Sequence, residues 1–323
     1  MANVSNETVS FGVRMLAGCL YTTITLIGLL LYVLVGVVII RAWKRFKNPF
    51  YILVCHTAVA DWGFALNNIL ILIPYVFVGR SIYPSKLEMF LAAGNTFFPV
   101  SLYFHAFTIT LQRYCVFLRP SLNVHLFEMG RRAHYMAWLC WILTAGFFAQ
   151  LHFSDCHKYF SHTHFYFYFQ CTPKENLIPL LPLLAFSSLL PPIMMIMYLF
   201  VFLHLRFSKT KIKESTDAQK RKAKRERSLL LQGFFICFFL QTMALLFWFV
   251  PTNTVWGPIV LNSWCVVNSA CNPCIFIIFN SAVKQDVAEL LKLKSAQIAT
   301  QAKGQAQKSF KTSGQTAPQE ARF

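Results

Sequence analysis

Four groups of residues in this sequence have the types and spacing to do chemistry. Asp61 is the one acid deep inside an apolar stretch. A carboxylate at that depth costs about 2.5 kcal/mol or more on insertion scales, so it belongs in a polar interior, where it can hold a proton, water or a cation. Arg113 stands in Leu111-Gln112-Arg113-Tyr114 at the end of another apolar stretch. A basic side chain there anchors a helix end at an interface or meets a partner. Asn268-Ser269-Ala270-Cys271-Asn272-Pro273-Cys274-Ile275-Phe276 sets two amides four residues apart, just ahead of a proline. Pro273 frees a backbone carbonyl that nearby amides and water can satisfy again. The fourth group is the aromatic segment between Cys156 and Cys171, with His152, His157, His162 and His164 in or beside it. Such a set invites a metal site, but sequence-near histidines in an aromatic segment more often form amphipathic surface, and no metal is expected. There is no second buried acid and no His-Glu-x-x-His, so an enzyme is not expected and no catalytic residue is assigned.

These residues need elements to hold them, and composition says what kind. Of 323 residues, 56% are hydrophobic, 33 are phenylalanine and only 13% are charged. A soluble domain carries roughly 25% charged residues and could not coat so much apolar surface, whereas a lipid bilayer solvates it directly. Seven stretches, near 17–41, 50–78, 88–113, 133–151, 176–205, 229–251 and 255–280, are long enough at 1.5 Å per residue to cross a hydrocarbon core of about 30 Å. They are apolar at successive rather than alternate positions, which excludes a transmembrane barrel. The expected fold is an all-α bundle of seven transmembrane helices. An N-terminus over 1–16 precedes the 17–280 domain, an amphipathic helix at the membrane surface covers 281–294, and a disordered cytoplasmic tail covers 295–323.

The formal net charge of +18 would suggest nucleic acid, but its distribution points to a membrane, and no nucleic-acid partner is expected. With the N-terminus outside, 25 of the 30 Lys and Arg fall on the cytoplasmic side and five outside. The sequons at Asn3 and Asn6 agree with an external, glycosylated N-terminus, and no cleavable signal peptide is evident. Of the 10 cysteines, only Cys156 and Cys171 fall in an external loop. A transporter or channel remains the alternative, although no internal repeat is visible and Asp61 stands alone.

Together these residues resemble the rhodopsin-like G-protein-coupled receptor superfamily. Ala58-Val59-Ala60-Asp61 is similar to its second-helix element, Gln112-Arg113-Tyr114 to its Asp-Arg-Tyr motif, and Asn272-Pro273-x-x-Phe276 to its Asn-Pro-x-x-Tyr. Trp138 or Trp141 would be its fourth-helix tryptophan and Pro191 or Pro192 its fifth-helix proline. The chain also departs from the superfamily. The first span lacks the Asn that partners the second-helix acid, and no Cys lies between Cys55 and Cys115 to tie the third helix to the second outer loop. Two cysteines within one aromatic outer loop are similar to nematode serpentine chemoreceptors, class X or a neighbouring class. A Cys156–Cys171 disulfide would close a loop of about 15 residues, worth about 3 kcal/mol in the chain-entropy model.

The resemblance implies a multi-pass chemosensory receptor in the plasma membrane, with a sensory cilium as a candidate location, that binds a small molecule and signals through a heterotrimeric G-protein. Asn95, Phe98, Trp248 and Asn262 would line the ligand pocket. Asp61, Asn268, Asn272 and Pro273 would form a polar core able to take sodium or water. Arg113 and Tyr114 would face the G-protein, with Glu226 supplying the anion that Gln112 cannot. Asn95 stands where amine receptors carry Asp, which disfavours amine ligands, and the seventh span has no Lys for a retinal Schiff base.

Overall fold

The structure, a computed structural model, describes residues 9–41, 43, 48–128, 131–162, 165–173, 178–208, 217–252, 254–290 and 292, and excludes the side chains of 208, 217–227 and 229. Asn3, Asn6, His164, the tail beyond 292 and the Glu226 side chain therefore lie outside the described residues.

The described residues form seven long helices: α1 (Phe11–Arg41), α2 (Pro49–Val78), α3 (Ser85–Leu118), α4 (Arg132–Phe153), α5 (Leu181–Ser208), α6 (Asp217–Phe249) and α7 (Trp256–Phe279). Six contain a segment long and apolar enough to cross a membrane. The seventh, α3, is more polar because it is central: it packs against α2, α4, α5 and α6, so protein rather than lipid meets most of its faces. Its buried residues include Thr96, Ser101, His105, Thr108, Thr110, Gln112 and Arg113. The ring closes where α1 packs on α7.

Several ends differ from those expected. The third helix runs on to Leu118, so Arg113 sits inside it rather than at its end. The sixth begins at Asp217, in Asp-Ala-Gln-Lys-Arg-Lys-Ala-Lys-Arg-Glu-Arg, well before its apolar run; Ala, Lys, Arg, Gln and Glu are good helix formers even without a membrane. Within α2, a π-helical turn at Asn68–Leu72 precedes Pro74, whose missing N–H cannot continue the α ladder. Residues 281–290 form a further helix, α8, which Asn280 caps by accepting the Val283 N–H at 3.3 Å. Its Val283, Val287 and Leu290 are buried in the cluster that also holds Val35, Leu53 and Phe276.

Between α4 and α5 the chain makes one antiparallel hairpin, β1 (Cys156–Ser161) with β2 (Tyr166–Cys171), pairing Cys156 with Cys171 in register. These two cysteines are disulfide-bonded. The hairpin packs on α3, α4 and α7. We call its side the hairpin end and the opposite side the basic end.

Candidate functional site

The centre of the bundle is a polar joint of three helices. Asp61, only 1% exposed on α2, accepts through Oδ2 from the Tyr32 hydroxyl on α1 and from Asn272 Nδ2 on α7 at 2.8 Å. The Tyr32 hydroxyl also lies 3.3 Å from the Ser269 carbonyl. Ser269 stands four residues before Pro273, so its carbonyl is the one that the proline leaves without a helical donor. Tyr32 thus does in this chain what a first-helix Asn would do for the acid, and its single O–H is given to the carboxylate while its oxygen lies beside the carbonyl that the α7 ladder leaves open. Asn268 is buried beside the joint, with Met243 Sδ of α6 at 4.0 Å. Asp61, Asn268 and Ser269 border a small cavity with room for about one water, closed by Phe98, Leu102, Leu240, Met243 and Cys265. It separates the joint from α6.

Sequence reading placed Asp61, Asn268, Asn272 and Pro273 but missed Tyr32. A signal was present: on α1 the buried residues Gly18, Tyr21, Thr25, Gly28 and Tyr32 recur every three or four positions, marking one polar-tolerant face in an apolar helix.

At the hairpin end, two of the four expected ligand-lining residues, Asn262 and Asn95, meet the hairpin itself. Asn262 donates to the Phe165 carbonyl at 2.5 Å, and Asn95 Oδ1 accepts from Lys158 Nζ at 2.9 Å. Phe98 crosses between Gly63 of α2 and the central cavity; a Cβ on Gly63 would come within 2.0 Å of its ring. Trp248 is a correction. It is 64% exposed and donates to Ser188 of α5 at 3.1 Å, away from the other three. The inward face of α6, at Cys237, Leu240, Met243 and Ala244, gives out before Trp248, and the mouth is filled by the hairpin instead.

The hairpin is a plug. Phe160 and Phe165 are buried with Tyr21, Ile71, Tyr75, Ala92 and Ile259 of α1, α2, α3 and α7. Phe165 holds a left-handed backbone with φ of 56°, uncommon for a bulky residue, and is kept there by complete burial and the Asn262 bond. Lys158, counted from sequence only as an external basic residue, points inward and is 8% exposed. Burial pulls its ammonium from 10.5 down to about 7, against a smaller opposing pull from the Cys265 thiol. Among the described histidines of this segment, His162 packs on Tyr75 and Phe160, and His152 on His157.

At the basic end, Arg113 is buried with its guanidinium 3.8 Å from the ring centroid of Phe50 on α2. Tyr114 packs against the α3–α5–α6 cluster around Tyr198, Val201 and Leu230. Here α6 lies tight against its neighbours: a Cβ on Gly233 would come 1.9 Å from the Tyr198 hydroxyl, and Ser228 Oγ donates to the Phe279 carbonyl of α7. Phe276 stands where the motif has Tyr, and the hydroxyl comes from elsewhere. Tyr51 of α2 meets its ring edge-on at 6.1 Å and accepts from Asn280 Nδ2 at 2.9 Å.

Seven helices around a buried acid–amide joint, with a hairpin in one mouth and the sixth helix packed shut at the other end, define a rhodopsin-type receptor fold. Squid rhodopsin, seen in its crystal structure, has that fold: it aligns with a TM-score of 0.73 over 89% of this chain and 87% of its own, at 16% identity. The family model described as serpentine type 7TM GPCR chemoreceptor Srx matches residues 23–280, and the chain belongs to that family. No curated protein matches it in sequence.

Proposed function

We propose that this protein is a chemosensory receptor of the plasma membrane that binds a small molecule beneath the hairpin and activates a heterotrimeric G-protein at the basic end. The hairpin end and the glycosylated N-terminus face outward, and the polar tail beyond 294 lies in the cytoplasm. Support for this orientation comes from the 25 of 30 Lys and Arg that it places inside.

The observation that carries the reading is the Asp61 joint, midway between the plugged mouth and the closed basic end. It ties α1, α2 and α7 through one carboxylate, while a small cavity and the Asn268–Met243 contact lie between it and α6. A ligand that moves the hairpin shifts Asn95, Phe98 and Asn262; Phe98 borders the cavity, so α6 can change its packing while the other helices stay fixed. A water or sodium ion beside Asp61 would favour one arrangement over the other. Opening α6 uncovers Arg113 and Tyr114 for the G-protein, and Glu226 holds Arg113 in the closed state.

The test is nucleotide exchange in cells that express the full chain with each Gα class in turn. Wild type is expected to raise exchange above mock cells for at least one class, Arg113→Ala to remove at least nine-tenths of that at equal surface density, and Glu226→Ala to raise basal exchange. Exchange that stays at mock level with every Gα, or that is untouched by Arg113→Ala, overturns the coupling mechanism. An unchanged basal level in Glu226→Ala rejects that lock alone.

A further inference from the structure

We propose that Lys158, framed by Asn95, Thr96 and the aromatic face of β2, is the anchor for an organic anion: a small carboxylate with an apolar tail. This rests on the receptor reading and gives it a ligand class. In β1 the alternate residues Cys156, Lys158 and Phe160 are the buried ones, so a lysine occupies a position where its strand neighbours are apolar. Its Nζ donates to Asn95 Oδ1 at 2.9 Å and to Thr96 Oγ1, both on α3, and lies 5.1 and 5.4 Å from the ring centroids of Phe167 and Phe169.

An ammonium has three donors and one full charge. Here two donors meet neutral oxygens, the rings add a modest cation–π attraction, and among the described residues no carboxylate pairs with the group. Glu88, the acid in the first turn of α3, is bonded to Ser81 instead, at 2.6 Å. A buried charge without a counter-charge costs several kcal/mol, and the partner that would offset this cost is an anion. The walls choose among anions. Phe167 and Phe169 offer ring surface rather than the ring of donors that a phosphate needs, which fits one carboxylate on an apolar body. Cationic ligands meet like charge wherever Lys158 is protonated. The site also reaches the central joint, because Asn95 and Thr96 lie less than a turn from Phe98, which borders the cavity beside Asp61. An anion that draws Lys158 off Asn95 and Thr96 releases the hairpin's polar hold on α3.

The experiment uses the purified full chain in lipid nanodiscs, with butyrate, hexanoate and octanoate as probes and hexanol and hexylamine as matched controls. Melting temperature reads binding, and Gα exchange in cells given the same compounds reads signalling. The carboxylates are expected to raise the melting temperature of wild type in a dose-dependent way, most for the longer tails, with no response to hexanol or hexylamine. Lys158→Met should weaken this at least tenfold, and Lys158→Arg should retain part of it. Should the Met variant fail to fold, Lys158→Gln, which keeps a donor for Asn95, reads the same loss. Equal carboxylate response in wild type and the uncharged variants overturns the anchor, as does the lack of any carboxylate response in wild type. Lys158-dependent binding without activation of any Gα keeps the anion site and removes the receptor reading. Activation by neutral compounds, equal in wild type and Lys158→Met and with no carboxylate response, keeps the receptor and removes the anchor.

Discussion

Asp61 accepts from Tyr32 and from Asn272 on the same oxygen, and the first of these donors is a phenol that sequence motifs would not assign to it. Tyr32→Phe removes one of the donors that hold the Asp61 carboxylate. Hydrogen bonds to charged groups contribute about 1.5–3 kcal/mol, so the variant should lose roughly that much stability in nanodisc melting. Paired with Asp61→Asn in a double-mutant cycle, the two losses should fall short of additive by about 1 kcal/mol or more, as for residues in one network. Lys158 makes a prediction with two opposite signs. Its pKa in the folded protein, about 7, lies below the ordinary 10.5, so between those values the unfolded chain binds more protons and stability of the ligand-free protein rises with pH. The cation that holds a carboxylate is lost over the same range, so probe affinity should fall as pH rises above about 7. The titratable group in electrostatic reach of it among the described residues is the Cys265 thiol. Melting curves and probe titrations from pH 6 to 9 check both slopes, and Lys158→Met should flatten both.

Among the elements, the hairpin is held by several separate supports. The disulfide closes a separation of 15 residues, worth about 3 kcal/mol by loop entropy. Phe160 and Phe165 are buried, and Asn262 and Lys158 hold the tip and one strand to α7 and α3. Cys156→Ser with Cys171→Ser should therefore lower the melting temperature and speed amide exchange in 156–171, while α1–α7 keep their protection; equal loss of protection throughout the bundle would show that the hairpin is not a separate unit. The corner between α7 and α8 rests on Tyr51. Tyr51→Phe removes the bond to Asn280, which caps α8, and should cost about 1 kcal/mol and raise exchange in 281–290.

For the whole molecule, the closed basic end depends on α6 lying against α5 and α7. Gly233→Val places a branched side chain where the Tyr198 hydroxyl sits, and the α6 backbone must give way. The expected outcome is basal Gα exchange several-fold above wild type at equal surface density; unchanged exchange would mean that α6 can shift without opening the Arg113 side. The sequence by itself located the seven long helices: in six of them lipid exposure demands an apolar run that is legible locally, and the central α3 shows a weaker one. It also singled out Asp61, Asn272 and Pro273, since a polar residue or proline inside such a run is costly enough to need a reason. Helix ends were less legible: α6 runs far beyond its apolar stretch on intrinsic helix preference alone. Only the tertiary structure decided which polar groups meet. Tyr32 and Asp61 are joined across 29 residues, Tyr51 and Asn280 across 229, and Asn95 and Lys158 across 63. Pairings of this kind leave no local pattern, because hydrogen-bond satisfaction in a buried interior is a property of the packed bundle and not of any one helix.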